Sequence, residues 1–581
     1  MSTAHHPRST VAHHTDAGGV KLKRSVGPVG LLFAAVGSII GSGWLFGAYQ
    51  ASAIAGPAAI FSWLIAAVMI ILIGLCYAEL GPMLPISGGV VRYPHLVWGS
   101  FGSYSLGFIT WIAAAAVPAI EVTGALTYMT KFAPFTTKAT SGSTTAQILT
   151  PLGIVVAVLL LALFVVVNYF GVKLFAEINT VVVWWKLFVV CLVIVVFLIT
   201  AFGTTRMGSP ANFSQFGFAP TGFAGVFICI STAGITFSYL GFRQGIELAG
   251  ETSNPRRNIP LALIGSVAIT AVLYALIQVV YTLAVPHSVL VKSHGWDGLQ
   301  FSGDFGPLAA LAGMAGLAWL AYVLYFDAFI SPADTGFIYT TVTSRLSYAM
   351  GRNGNSPRFL AKNNKYAVPH WSLLVTFLVG VVLLAPFPSW QSLVGFITSA
   401  TVMSFGSGPL VVAVLRRTHP ELKRPFKLPG GDIIPYLAFF SANMIMFWAG
   451  WSTNFKVIIT ILIGYAVLVL FQLFGHKEGR PPLLFKVGAA WIIPWFALYG
   501  LVSFFFSDSA VFGTAWVQHS FFWVFLVNAV VSAFIYWLAL KITLPKRLID
   551  QYVADAARES ASDDAASDDA GQSSGSTAHR A

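Results

Sequence analysis

Several ionisable side chains stand inside stretches that are otherwise apolar: Glu121, Lys186, Arg243, Asp327 and Asp334. A charge at the centre of a membrane helix costs about 2.5–3.5 kcal/mol on insertion scales, so each needs a partner or a task. Lys186 follows Trp184-Trp185 in a run of valines and leucines. Buried lysines release protons more readily than solvated ones, which suits proton exchange near neutral pH. The alternative is a structural lysine that is permanently paired or snorkels to the surface. Glu121, in Pro118-Ala119-Ile120-Glu121-Val122-Thr123, reads as a proton site, a partner for a base, or a protonated structural acid. Asp327, in the same later segment as Asp334, lies one turn nearer the outside than mid-span and is the weaker candidate. Arg243 could grip a carboxylate with its planar fork, or pair internally with Glu247, one helical turn on. Glu79 closes the second apolar segment, where a structural bond to a helix end fits better than a chemical role.

Two places could gather such groups around a small molecule. The first apolar segment is interrupted by Gly37-Ser38-Ile39-Ile40-Gly41-Ser42-Gly43. Glycine in a helix interior costs up to about 1 kcal/mol relative to alanine. A helix that opens in lipid exposes N–H and C=O groups, tolerated only where they line a cavity or bind something. Close packing of a neighbouring helix on small residues is the alternative. The sixth segment repeats the pattern, with Ser231-Thr232-Ala233-Gly234-Ile235-Thr236 leading into Phe237-Ser238-Tyr239-Leu240-Gly241-Phe242. Interruptions at corresponding positions of two halves point to an inverted-repeat transporter with its site at the breaks. Half-helix N-termini suit an anion and freed carbonyls a cation, and an amino acid offers both.

The 581 residues are 56% hydrophobic and 9% charged, with a mean hydropathy of +0.77. Soluble domains carry about 25% charged residues, so an all-α polytopic membrane protein is expected. About fourteen apolar runs approach the ~20 residues a bilayer needs. The run 306–318 reads as an extra external helix. The spacing of the breaks predicts a first five-helix repeat over 25–203 and a second over 204–415. A cytoplasmic connector and four added helices would fill 416–545, between disordered cytoplasmic tails at 1–24 and 546–581. The tail histidine pairs, His5-His6 and His13-His14, leave metal binding as an alternative to disorder, and no cleavable signal is read there.

The net charge of +12 first suggests a nucleic-acid partner. Most of the 33 Lys and Arg, however, fall in cytoplasmic segments once the N-terminus is placed inside. The charge therefore reports topology, with the bilayer and no nucleic acid as partner. Cys76, Cys191 and Cys229 all fall in apolar runs, which excludes a disulfide framework and predicts core thiols. Phe504-Phe505-Phe506 and Phe521-Phe522-Trp523 face either lipid or a second copy in a homo-oligomer.

The chain resembles the amino acid–polyamine–organocation (APC) transporter superfamily over about residues 25–475. The strings that carry the resemblance are Gly41-Ser42-Gly43, Tyr77-Ala78-Glu79-Leu80, Asn254-Pro255-Arg256-Arg257-Asn258-Ile259-Pro260, and Ser344-Arg345-Leu346-Ser347-Tyr348-Ala349-Met350. A fifth runs from Leu415-Arg416-Arg417 through Arg424-Pro425-Phe426 to Leu428-Pro429-Gly430. The run count and Gly241-Phe242-Arg243-Gln244 are most similar to bacterial proton-coupled aspartate/glutamate permeases.

The resemblance implies a LeuT-type five-plus-five fold with broken helices 1 and 6, in a bacterial inner membrane. It also implies alternating access around the breaks. The substrate carboxylate would meet amides around Gly41, Ser42 and Gly43. Its ammonium would meet carbonyls of Ile39, Phe237 and Leu240, near Ser238 and Gly241, with Phe237 as a gate or as plain packing. Proton-using relatives place a lysine like Lys186 where others bind sodium. The proton is therefore the expected coupling ion, sodium is disfavoured, and no cofactor is expected. Asp334 stands where the family places small hydroxyl residues and could pair with Lys186, holding it charged or cycling with it. The family commonly shows Gly-Phe-Glu where this chain has Gly-Phe-Arg, which directs Arg243 toward a substrate side-chain carboxylate and the substrate toward aspartate or glutamate. An exchanger or importer of neutral amino acids or γ-aminobutyrate is the alternative.

An enzyme is not expected. The sequence has no His/Cys/Glu set at metal spacing, no nucleophile elbow and no phosphate loop.

Overall fold

The computed structural model describes residues 26–86, 88–139, 147–170, 173–202, 208–299, 301, 306–352, 354, 356–366, 368–474, 482–507 and 521–558. The tail expected over 1–24 and residues 559–581 lie outside the described residues.

The described residues are helical almost throughout. Helix α1 (Pro28–Ile39) starts with a proline at its first turn, where a missing N–H costs nothing. It stops before Gly41-Ser42, and α2 (Gly43–Ala55) resumes the same apolar run. There follow α3 (Ala59–Met83), α4 (Gly89–Met129), α5 (Pro151–Tyr169) and α6 (Lys173–Phe202). Gly99 kinks α4 at φ 71°, a conformation that favours glycine. The link from α4 to α5 carries a two-stranded antiparallel hairpin, Thr137–Ala139 with Gln147–Leu149.

The run that begins with α7 (Gly222–Thr232) breaks after Thr232 and continues as a 3-10 turn, Phe237–Arg243, into α8 (Gln244–Glu247). Then come α9 (Pro255–Ala284), α10 (His287–Lys292), α11 (Pro307–Met314), α12 (Ala318–Arg352), α13 (His370–Leu383), α14 (Trp390–Phe405) and α15 (Ser407–Thr418). The chain closes with α16 (Ile433–Trp448), α17 (Trp451–Phe474), α18 (Ile492–Phe506), α19 (Phe521–Lys541) and a last helix, α20, over 546–558.

Among the described residues, eight helices are long and apolar enough to cross a bilayer. The number is nine if α7 and Phe237–Glu247, bent by 47°, count as one span. Other apolar runs form shorter helices, α1, α13, α16 and α18. The chain is thus an all-α, multi-pass membrane protein.

Helix α1 is enclosed by α6, α9, α12, α8 and the Phe237–Arg243 turn, while α4 packs along α12 and α14. In α6 the exposed residues Val181, Trp184, Phe188, Val195 and Ile199 recur at helical spacing on one face. Val183, Lys186, Val190, Val193 and Phe197 take the buried face, so the period alone turns Lys186 inward. The same geometry corrects one expectation. Cys76 and Cys229 are core thiols, but Cys191 lies on the exposed face of α6.

A second correction concerns residues 546–558, expected as disordered tail. They form α20, with Ile549, Val553 and Ala556 buried in the main core. Asp550 lies 2.7 Å from His419 Nε2, and the Tyr552 ring packs on His95. An apolar stripe at helical spacing overrides the polar composition of the surrounding tail.

Candidate functional site

A continuous helix would bond the Gly41 N–H to the Gly37 carbonyl and the Ser42 N–H to the Ser38 carbonyl. Here Gly41 N–H bonds instead to the Ile39 carbonyl at 3.1 Å. The break therefore leaves the Ser42 N–H and the Gly37 and Ser38 carbonyls without their helical partners. The Ser42 N–H donates to Glu121 Oε2 at 2.7 Å. The Gly37 carbonyl accepts from Lys186 Nζ at 2.8 Å. Two of the charged residues thus serve two of the groups that the broken turn sets free.

Lys186 is fully buried; its ammonium also donates to Thr335 Oγ1 (3.2 Å) and forms an ion pair with Asp334 Oδ2 at 2.7 Å. Spacing along α12 explains why these residues face it. Leu320, Leu324, Asp327, Ser331 and Thr335 recur every three or four residues and are all buried. Asp327 sits further along this stripe, accepting from Ser331 Oγ (2.7 Å) and the Trp185 indole (3.0 Å).

The second break lies against the first. Gly234, at φ 83°, turns the chain after α7, and Ser238 N–H caps its carbonyl at 2.9 Å. A side chain on Gly43 would collide with Ser238, and one on Gly241 would run into the Ser38–Ile39 backbone. A Cβ on Gly41 would stand 2.7 Å from Glu121 Oε1 and 3.0 Å from Thr335 Oγ1. These glycines are what allow two unwound segments and two polar side chains to share so little space.

Trp390 of α14 closes one side, donating to Ser42 Oγ at 2.8 Å. Phe237 stands edge-on to that indole, 6.2 Å between ring centres. The Ile39 carbonyl is engaged, accepting from the Tyr274 hydroxyl at 3.1 Å as well as from Gly41 N–H. Leu240 is buried in the same turn.

Arg243 ends the 3-10 turn at 1% exposure. Its guanidinium lies over the rings of Tyr339 (5.4 Å) and Phe405 (5.9 Å). Glu247 Oε1 is 3.9 Å from Nε, an ion pair too long for a good hydrogen bond. Nε and Nη2 have no hydrogen-bond partner among the described residues. Such buried donors are costly and point to an anion that completes them.

At the far end of the bundle Glu79 is buried under Arg416 (2.5 Å), Arg424 (3.3 Å) and the Leu428 N–H (2.9 Å). This cluster ties the end of α3 to the segment after α15.

The structure therefore gathers Ile39, Gly41, Ser42, Gly43, Phe237, Ser238, Leu240, Gly241, Glu121, Lys186 and Asp334 at one buried junction, with Arg243 at its edge. Sequence reasoning missed Thr335, Trp390 and Tyr274. A hydroxyl beside Asp334 was the only local sign of Thr335. The other two come from distant segments whose packing no local pattern reveals. Among the described residues there is no group of His, Cys, Asp and Glu that could hold a metal.

A family model described as amino acid permease matches residues 26–471. The chain is 36% identical over 523 residues to the glutamate/serine transporter AimA of Bacillus subtilis (strain 168), covering 90% of this chain and 94% of that one. It is 35% identical over 531 residues to the aspartate-proton symporter of the same organism, covering 91% and 98%. The branched-chain amino acid permease BcaP of Bacillus subtilis is 27% identical over 477 residues, covering 80% and 96%.

Proposed function

This chain belongs to the amino acid permease family, and from that premise we propose that it is a secondary active transporter coupling proton entry to uptake of acidic amino acids. The family and the similar proteins are transporters, not enzymes. The substrate is a small molecule, an amino acid, and the working environment the bilayer. In this reading α1 with α2, and α7 with Phe237–Glu247, are the broken first and sixth helices of a LeuT-type five-plus-five repeat. Four further spans complete fourteen, both termini are cytoplasmic, and the membrane is a bacterial inner membrane.

The observation that carries the proposal is the meeting of both breaks around buried Glu121, Lys186 and Asp334. Half-helix α2 offers amides to a substrate α-carboxylate, and the Phe237–Leu240 turn offers carbonyls to its ammonium. Phe237 and Trp390 cover the substrate. Arg243, whose Nε and Nη2 have no hydrogen-bond partner among the described residues, receives the side-chain carboxylate of aspartate or glutamate. The Lys186–Asp334 pair is made and broken during the cycle, with the proton as coupling ion. Sodium and cofactors have no role in this scheme. The aspartate-proton symporter and the glutamate/serine transporter are in keeping with it.

A second reading rests on the rings and Glu247 around Arg243. If these satisfy the guanidinium, the substrate is neutral, such as serine or γ-aminobutyrate, and exchange replaces symport. Uptake of labelled L-aspartate into proteoliposomes, with excess glutamate, serine, γ-aminobutyrate or arginine as competitors, separates the two. Block by glutamate alone supports the first. Absence of aspartate uptake, with labelled serine exchanging, supports the second.

A further inference from the structure

We infer that Glu121 occupies the place of the substrate α-carboxylate in the empty transporter, and that a proton on Glu121 is what admits the substrate. The inference deepens the transport reading above and rests on it.

The geometry is specific. Glu121 Oε2 accepts the N–H of Ser42, at the start of the 13-residue helix α2, at 2.7 Å. This is where a half-helix dipole best stabilises an anion. Its other oxygen, Oε1, is buried without a hydrogen-bond partner among the described residues, and the whole side chain is 1% exposed. Gly41 has no side chain to hold that oxygen away from the break. Glu121 comes from α4, outside both broken segments, so withdrawing it does not require either break to refold.

The charged and titratable groups around Glu121 are few. Lys186 of α6 is held by Asp334 of α12. Tyr274 of α9 and Tyr339 of α12 supply phenols. From α14, Trp390 turns its indole to Ser42. Lys186, already committed to the Asp334 carboxylate, is not free to neutralise a second anion beside Glu121. Two carboxylates at the same amide repel each other.

An incoming substrate carboxylate therefore needs Glu121 neutral. One proton from external water adds to the Glu121 carboxylate and forms an O–H. Ser42 N–H passes to the substrate carboxylate, and the site keeps a single negative charge. When the substrate leaves on the other side, the proton returns to water there and the Glu121 carboxylate rebinds Ser42 N–H. One proton on Glu121 accompanies each substrate, apart from any exchanged at the Lys186–Asp334 pair, and amino acids of any side chain obey the same rule because the α-carboxylate is common to all.

The test uses the full-length protein in detergent, in weak buffer with a pH indicator, titrated with L-aspartate, L-glutamate and L-serine. Binding is expected to take up protons, and affinity to fall about tenfold per pH unit on the alkaline side, the slope for one linked proton. In Glu121→Gln the neutral amide stands in for the protonated acid and can yield the Ser42 N–H to the substrate, so binding should remain measurable, at altered affinity, while proton uptake and pH slope vanish. Infrared difference spectra of the unmodified protein should gain a protonated carboxylic acid band on adding substrate. Glu121→Asp should shift that band, which keeps the test alive if the Gln variant fails to fold. Binding without proton uptake, or equal uptake in Glu121→Gln, overturns the inference alone. No binding of any of the three amino acids overturns the transport reading and this inference with it.

Discussion

Lys186 Nζ and Asp334 Oδ2 stand 2.7 Å apart in a place sealed from solvent, with exposures of 0% and 4%. Removing one partner of such a pair strands a charge, which costs about 3–5 kcal/mol, whereas replacing both with apolar groups of similar volume is often neutral. Lys186→Met and Asp334→Leu should each lower the thermal midpoint in detergent, and the double variant should recover most of it. Gradient-driven accumulation should stay lost in all three. Recovery of accumulation in the double variant would make the pair structural only.

Gly41→Val should abolish substrate binding while the protein still inserts. Its Cβ would stand 2.7 Å from Glu121 Oε1 and 3.0 Å from Thr335 Oγ1. Gly241→Ala should do the same by separating the two breaks, since its Cβ meets the Ser38–Ile39 backbone. Equilibrium binding of labelled aspartate checks both, and undiminished affinity in either would remove the breaks as the site.

Arg243→Ala should weaken aspartate and glutamate by about 10- to 100-fold, the range of a hydrogen bond to a charged group worth ~1.5–3 kcal/mol. Serine should change little. Arg243→Lys should behave like the alanine variant, because a single ammonium cannot reproduce a planar fork. Competition binding reads all of this, and parallel loss of serine would assign Arg243 to packing against Tyr339 and Phe405.

Glu79→Ala should act on stability alone. It leaves Arg416, Arg424 and the Leu428 N–H without their shared acceptor, a loss of about 3 kcal/mol. Substrate affinity of the surviving folded protein should match the parent in the same binding assay.

Much of this arrangement was legible in the sequence, and the illegible part has one cause. Gly41-Ser42-Gly43 and Gly234-Ile235-Thr236 announce breaks because helix-breaking residues in lipid need a reason. Lys186, Glu121 and Asp334 announce themselves as charges in apolar runs. What no local pattern could give is the backbone accounting. Ser42 N–H goes to a residue 79 positions away, and Ser42 Oγ to one 348 away. Lys186 serves the Gly37 carbonyl only because Gly41 N–H has turned to Ile39. Cys191 and α20 were misread for a different reason. Periodicity, not composition, decides both, with Cys191 on the exposed face of α6 and Ile549, Val553 and Ala556 on the core side of α20.

The most direct test of the central claim places the protein in proteoliposomes with a pH dye trapped inside and no preset proton gradient, then adds L-aspartate outside. Substrate entering with protons should acidify the lumen, and Glu121→Gln and Lys186→Met should abolish that signal. Uptake of labelled aspartate with an unchanged internal pH would contradict proton coupling at this site.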